Sequence, residues 1–187
     1  MSVTRVALLR AINVGGHNVK MADLRELFEE MGFGNVSTVI ASGNVIFETI
    51  AAQAKHRDRL ERRIEAVLFP ALGYDAHTYI RTPDELNAIA QSTPFDAAHF
   101  ANPGSTLYVT FLRTAPGPEV LSRIAALRNP VDEYAISDSE LYWLYHRNLG
   151  ESRVKPAQIT KALGGVDSGG TNRNITSVKR IAAAVAR

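Results

Sequence analysis

The sequence contains no cysteine, which excludes disulfides, iron–sulfur clusters and cysteine nucleophiles. It also lacks a long hydrophobic run, since no stretch approaches the ~20 apolar residues that a helix needs to span a bilayer. The opening residues, MSVTRVALLR, do not read as a signal peptide because arginine interrupts a short apolar run. We therefore expect a cytoplasmic protein with no membrane partner.

Motifs for common catalytic and metal sites are also missing. The five histidines lack metal-ligand spacing, and neither an HExxH sequence nor a Gly-x-Ser-x-Gly elbow occurs. The sequence thus predicts no metal and no cofactor. It assigns no catalytic residue, and it leaves open both whether the chain is an enzyme and its oligomeric state.

Charge is balanced overall but uneven along the chain. The 187 residues carry a net charge of +2, which is too mild to indicate nucleic-acid binding by itself. No acidic residue follows Asp167, and the C-terminal stretch contains Arg173, Lys179, Arg180 and Arg187. This end of the chain is the candidate basic surface.

Apolar periodicity in the first half predicts the order β-α-β-β-α-β. Residues 3–9 indicate a buried strand, while 21–32 and 53–69 have helical apolar stripes. VSTVIA and VIFET, separated by Ser-Gly-Asn, indicate a hairpin, and AHTYIR indicates the last strand. This order is that of the ferredoxin-like split βαβ unit. In TPDELNAIAQS, Thr82, Pro83 and Glu85 predict a capping box at the start of another helix.

The second half predicts a divergent repeat of that order. A strand at 106–113, a helix at 117–128, a hairpin at 133–146 and a helix at 155–163 precede a last helix that begins near Arg173. The fourth strand is expected to be replaced or missing. We therefore predict an α+β fold with two ferredoxin-like subdomains, each an antiparallel sheet with helices on one face. The expected parts are 1–81, a helix and linker at 82–105, and 106–187 with an extra C-terminal helix.

Two polar, glycine-bearing segments are expected to meet at one edge of the first sheet. They are residues 10–20 and the turn 42–44, because the first and third strands are antiparallel neighbours. Gly73 falls at the same edge. Glycines let a ligand approach the backbone, and successive N–H groups can form an anion-binding concavity. The simpler interpretation is that glycine and asparagine only form turns there.

The segment TNRNITSVK raises a separate question. If a helix begins at Arg173 after a Thr171 or Asn172 cap, that arginine opposes the helix dipole. Either a protein carboxylate or an anion bound at the helix start would compensate for it. Ile175, Val178, Ile181, Ala182 and Val185 would then form the buried stripe.

These segments together resemble a known family. The Arg-x-Ile-Asn-Val-Gly-Gly loop, the Ser-Gly-Asn turn and the Thr-x-Arg-Asn-x-x-Thr helix start occur in the order found in the bacterial domain-of-unknown-function family DUF1697. The resemblance covers nearly the whole chain and implies a duplicated ferredoxin-like architecture, with no established activity. Relatives often have Gly-x-Gly-x-Ser-Lys-Leu where this chain has NLGESRV, so one glycine of the pattern is missing and Arg153 replaces the lysine.

Three functional hypotheses follow from these residues. The first is a protein, either a binder or an enzyme, for an anionic small molecule, phosphorylated or carboxylated, held in a cleft between the subdomains. The second is a nucleic-acid-binding module that uses the basic face of the C-terminal helix. The third is a structural or interaction protein whose motifs fasten the domains. For the first hypothesis the candidate ligand-binding residues are Arg10, Asn13, Gly15, Gly16, Lys20, Ser42, Gly43, Asn44, Arg173, Asn174 and Thr176.

Overall fold

The computed structural model describes residues 1–91, 93–100, 103–165 and 170–186. This part of the chain forms a mixed α+β fold with two four-stranded antiparallel sheets and seven α-helices. The backbone contacts divide it into two units, Met1–Ala90 with Lys179–Arg187, and Gln91–Val178. The domain boundaries expected at 81 and 105 stay a prediction.

The first unit contains the predicted element order. Its first helix follows β1, and the second predicted helix is divided by a break at residues 55–56 into α2 and α3. The elements are β1 (Ser2–Leu9), α1 (Met21–Glu30), β2 (Gly34–Thr38), β3 (Asn44–Ile50), α2 (Ala51–Ala54), α3 (Arg57–Leu72) and β4 (Thr78–Arg81). Adjacent strands are antiparallel, in the order β2-β3-β1-β4.

The core of the first unit lies between α1, α3 and one face of this sheet. Leu24 and Phe28 from α1, with Ile64 and Leu68 from α3, are fully buried. They pack in one cluster with alternate strand residues, including Ala7, Leu9, Val45, Phe47 and Ile80. Each large side chain buried there stabilises the fold by about 1.5–3 kcal/mol. The apolar stripes read from the sequence thus face the sheet.

Helix α4 (Pro83–Gln91) begins with the predicted capping box. The Glu85 backbone N–H donates to Thr82 Oγ1 over 3.1 Å, and the Thr82 N–H donates to Glu85 Oε2 over 2.7 Å. Two donors that the first helical turn would leave unpaired are therefore satisfied reciprocally.

The second unit repeats the strand order of the first. Its sheet has the order β6-β7-β5-β8, with antiparallel neighbours throughout. Helices α5 and α6 share a buried cluster with Leu112 and Leu141. Its elements are β5 (Ser105–Phe111), α5 (Pro118–Ala125), β6 (Asp132–Ser137), β7 (Glu140–His146), α6 (Pro156–Ala162) and β8 (Thr171–Asn174). Helix α7 (Ile175–Val185) follows β8, and its residues from Lys179 onward belong to the first unit.

The start of the last helix was predicted incorrectly. Residues 171–174 form strand β8, in which Thr171 pairs with Phe111 and Asn174 with Tyr108, so the second sheet does have its fourth strand. Helix α7 begins at Ile175, and its cap is Asn174, not Thr171 or Asn172. Asn174 Oδ1 accepts the Ser177 backbone N–H over 2.7 Å. In the predicted stripe Val178, Ile181 and Ala182 are buried.

Candidate functional site

The loop after β1 and the turn before β3 meet at one edge of the first sheet, as predicted. The Leu9 N–H donates to the Gly43 carbonyl over 2.8 Å, and the β1–β3 register pairs Leu8 with Asn44. Asn13 Nδ2 reaches across to the Ala41 carbonyl over 2.8 Å. We call residues 10–20 and 40–44 together the loop edge.

The two asparagines of the loop edge use their amides within the protein. Asn13 Oδ1 accepts the Val19 N–H over 2.7 Å, and its Nδ2 also donates to the Val19 carbonyl over 3.1 Å. Asn44 is fully buried, and its Nδ2 donates to the Val39 carbonyl over 2.8 Å and to Ser42 Oγ over 3.0 Å. In this structure both side chains fasten the loop and the turn, and their assignment as ligand-binding residues stays a prediction.

Several residues of the loop edge have a left-handed backbone. Ala11, Asn13 and Ile40 have φ values of 62°, 54° and 61°, and for the β-branched Ile40 this conformation is a strong outlier. Each non-glycine residue held this way costs about 1–3 kcal/mol. At Gly43, with φ of 74°, an added Cβ would lie 2.6 Å from Ile12 Cγ1, so the close approach requires glycine. Such strained residues cluster at functional sites more often than elsewhere.

Gly15 and Gly16 present exposed backbone donors. Their φ values are 61° and 90°, and an added Cβ at either would meet none of the described residues within 4 Å. Their N–H groups donate to no acceptor among the described residues. From Ala11 to Gly15 the sign of φ alternates, because Ile12 and Val14 are not among the residues with positive φ. Alternation of this kind turns successive N–H groups toward one side of the chain.

The charges near Gly15 and Gly16 have both signs. Lys20 is exposed and precedes α1, while Arg10 is half-buried and its backbone N–H donates to the His77 carbonyl. A half-open cavity of about 500 Å³ adjoins the loop. Its wall includes three carboxylates of α1 that the sequence analysis did not associate with the loop, namely Asp23, Glu26 and Glu30.

His17 and Tyr74 form the aromatic part of the same cavity wall. Their rings stack with centroids 3.7 Å apart. The Tyr74 hydroxyl is buried and has no hydrogen-bond partner in the described part of the chain. Burial raises the pKa of Tyr74 above its ordinary value, so the hydroxyl stays a neutral donor near pH 7.

The third predicted segment lies in the second unit, and its arginine is not in a helix. Arg173 lies on β8 and is 8% exposed; its Nη1 donates to Thr171 Oγ1 over 2.9 Å and to the Asn172 carbonyl over 2.8 Å. Burial lowers its pKa to about 10. The expected conflict with the dipole of α7 therefore does not arise. Thr176 is exposed in the first turn of α7.

A polar cluster in the second unit was missed by the sequence analysis. Glu133 on β6 accepts hydrogen bonds from His146 Nε2 over 2.8 Å, from His99 Nδ1 over 2.9 Å and from Arg128. The other ring nitrogen of His146, Nδ1, lies 2.8 Å from Ser105 Oγ. Ser105 and His146 are distant in the sequence and are brought together by the register of β5 and β7.

Neither a metal site nor a membrane span occurs in the described ranges. No group of three or more histidine, aspartate or glutamate side chains there is arranged to hold a metal ion. Within residues 1–91, 93–100, 103–165 and 170–186, no helix has the length and apolar character required to cross a membrane. In NLGESRV, the segment that differs from the family pattern, Ser152 Oγ accepts the Val154 N–H over 3.2 Å.

Comparison with known proteins identifies the family and supports the fold. The chain is similar in structure to the conserved bacterial protein SP0830 from Streptococcus pneumoniae, with a TM-score of 0.69 and 19% identity over 100% of both chains. At that identity the likeness concerns the fold alone. No curated protein matches the chain. The family profile described as "Protein of unknown function (DUF1697)" matches residues 2–142, so the chain belongs to the DUF1697 family.

Proposed function

We propose that the loop edge of the first unit binds a small compound through its phosphate or carboxylate group. The observation that carries the proposal is the exposed pair of N–H groups at Gly15 and Gly16, which follow a backbone with alternating φ signs. Such a backbone forms a concavity that suits an anion. Lys20, exposed in the same loop, supplies the positive charge, and Arg10 lies at the start of the loop.

Side-chain hydrogen bonds within the loop edge pre-organise this site. Asn13 and Asn44 hold the loop and the turn together, so little backbone order is lost when a ligand binds. The left-handed residues Ala11 and Ile40 fit this interpretation, since strain is retained where a binding geometry depends on it. Gly43 and Ser42 act through the shape of the turn.

The three carboxylates of the adjoining cavity narrow the class of compound that the loop edge is expected to bind. A purely anionic molecule that entered the cavity would be repelled by Asp23, Glu26 and Glu30. A compound whose anionic group sits on the glycine amides and whose amino group points into the cavity satisfies both regions. We therefore expect phosphorylated or carboxylated amines to bind more tightly than inorganic phosphate.

We do not include the candidate residues of β8 and α7 in this proposed site. Arg173 is buried and donates within β8, and Asn174 caps α7. The nucleic-acid alternative depends on a basic face of α7. Lys179 and Arg180 are exposed on this helix, whereas Arg173 is buried on β8. Arg187 lies outside the described residues. A cytoplasmic location remains our prediction.

We also infer that each unit is ferredoxin-like. The order β2-β3-β1-β4, with all neighbours antiparallel and α1 and α3 on one face, supports this for the first unit. The equivalent order β6-β7-β5-β8 supports it for the second.

Thermal unfolding with added ligand tests the proposed function. Phosphate should stabilise the native protein by about 2.7 kcal/mol at a hundredfold excess over its dissociation constant. O-phosphoethanolamine should reach the same stabilisation at a lower concentration. Chloride at matched ionic strength controls for screening.

Two lysine variants locate the effect. Lys20→Gln should lose most of the phosphate-dependent stabilisation, whereas Lys55→Gln, which removes an exposed lysine on another loop of the first unit, should keep it. Equal responses of both variants, or no specific response of the wild type to either compound, would contradict the proposal.

A further inference from the structure

Three neighbouring strands of the second unit place a serine, a histidine and a glutamate in one hydrogen-bonded chain. Ser105 on β5 and His146 on β7 are directly opposed in the register. Ser105 Oγ lies 2.8 Å from His146 Nδ1, and His146 Nε2 lies 2.8 Å from Glu133 Oε1 on β6. Both separations fall within the reach expected for a nucleophile, its base and the group that orients the base.

The groups around Glu133 determine which ring nitrogen of His146 carries the proton. Burial raises the pKa of the Glu133 carboxyl, but hydrogen bonds from His146 and His99 and the charge of Arg128 bring it below its ordinary value. An ionised carboxylate can only accept, so His146 carries its proton on Nε2. The lone pair of Nδ1 then accepts the hydroxyl hydrogen of Ser105.

Among the described residues, Ser105 is the most accessible member of this hydrogen-bonded chain. His146 is 4% exposed, which holds its ring in place, whereas Ser105 is half-buried. Gly104, immediately before the serine, has a φ of 91°, and an added Cβ there would meet none of the described residues within 4 Å. A substrate could therefore approach the backbone beside the hydroxyl.

We propose that Ser105 is an activated nucleophile that takes carboxylic esters as acyl donors, with His146 as its general base and Glu133 as the positioning residue of His146. The two imidazole nitrogens exchange the roles they have in the serine protease triad. Either nitrogen can accept a proton when the other is held by a carboxylate. The proposal does not rest on the anion site of the first unit.

The reaction balances with water as the second reactant. Ser105 Oγ bonds to the ester carbonyl carbon while its proton passes to His146 Nδ1, and the carbon–oxygen bond to the alcohol then breaks. The alcohol leaves with that proton. Water, deprotonated by Nδ1, attacks the acyl-serine, the carboxylic acid departs and the proton returns to Ser105 Oγ.

Covalent labelling of the full chain by an alkyl fluorophosphonate tests the proposal. The serine oxygen displaces fluoride from phosphorus and its proton leaves through His146, so a stable adduct marks the nucleophile. Mass spectrometry of peptides should find the adduct on Ser105, and hydrolysis of p-nitrophenyl acetate should be lost in Ser105→Ala. Ser137→Ala, which removes an exposed serine at the β6–β7 turn, should leave both signals unchanged.

Variants of His146 and Glu133 give measurements that would stay unchanged if these residues had only a structural role. His146→Gln should slow labelling at least about 100-fold, the usual contribution of a general base. Wild-type labelling should fall on acidification, because the imidazolium, faced by Glu133, His99 and Arg128, cannot accept a proton. Glu133→Gln should change the pH profile of labelling as well as its rate, because the group that faces His146 Nε2 is no longer charged.

The wild-type result alone can overturn the proposal, whatever the stability of the variants. If Ser105 is labelled no faster than the exposed Ser137, then Ser105 is not activated. The same conclusion follows if labelling of Ser105 does not depend on pH.

Discussion

At the scale of single residues, the structure places Arg173 on a strand and not at the predicted helix start. The sequence offered two partners for it, a carboxylate or a bound anion, and both depended on a helix that starts there. In the structure its guanidinium is buried on β8 and donates to Thr171 Oγ1 and the Asn172 carbonyl. We therefore treat it as a residue that stabilises the second unit.

Arg173→Ala should destabilise the protein by about 2–4 kcal/mol, because it leaves a cavity and removes the hydrogen bonds of a buried side chain. Arg180→Ala, on the exposed side of α7, should change the free energy of unfolding by no more than about 0.5 kcal/mol. Urea denaturation measures both. Similar values for the two variants would be inconsistent with a buried structural role for Arg173.

Glu85 provides a prediction about pH. Burial raises the pKa of its carboxyl, but the hydrogen bond from the Thr82 N–H and the ion pair with Arg57 lower it below the ordinary value. A depressed carboxyl pKa contributes stability that is present above the unfolded-state pKa and is lost as pH falls through the folded-state pKa.

Glu85→Gln should therefore cost about 1 kcal/mol at pH 7, a modest value because the pair is partly exposed. The difference from wild type should shrink as pH falls below the ordinary carboxyl pKa. Glu26→Gln, on the exposed face of α1, is the control. The measurement is denaturation at several pH values, and a difference that persists at pH 2–3 would count against the linkage.

At the scale of elements, the loop edge is a single feature formed by two segments that are distant in sequence. Asn13 joins them through the Val19 backbone within the loop and the Ala41 carbonyl of the turn. This arrangement makes Asn13 a test of pre-organisation, because its side chain holds the loop without belonging to the proposed ligand contacts.

Asn13→Ala should lower the free energy of unfolding by about 1–3 kcal/mol, since three hydrogen bonds to the backbone of Val19 and Ala41 are lost. It should also weaken phosphate binding. Asn18→Ala, an exposed asparagine of the same loop, should do neither. The two variants can be compared by denaturation and by phosphate titration. A fully stable Asn13→Ala with unchanged phosphate affinity would show that the loop does not depend on this fastener.

The elements also show where sequence reasoning succeeds and where it ends. The capping box at Thr82 and Glu85 and the stripes of α1 and α3 depend on local spacing, and the structure contains them. Strand β8 is four residues long and polar, so no alternation distinguishes it from a helix cap; its pairing with β5 decides its conformation. Ser105 meets His146 through strand register, which the spacing of the two residues does not encode.

At the scale of the whole molecule, two units share one strand order although their residues barely repeat. The order β2-β3-β1-β4 reappears as β6-β7-β5-β8. The two units thus share a strand order, whereas each carries its own candidate chemistry. Backbone donors lie in the first unit, and the Ser105–His146–Glu133 chain lies in the second. The functions proposed for the two units can consequently be tested separately.

The central claim is that the Gly15–Gly16 backbone binds an anion, and the most direct test is an NMR titration of the backbone amides with phosphate. We predict that the Gly15 and Gly16 amide protons shift downfield and saturate, because each gains a charge-assisted hydrogen bond. Amides of the second unit should not follow the same binding curve. The account would be contradicted if the two glycine resonances stay in place while phosphate binds elsewhere, or if phosphate moves no resonance beyond the effect of matched chloride.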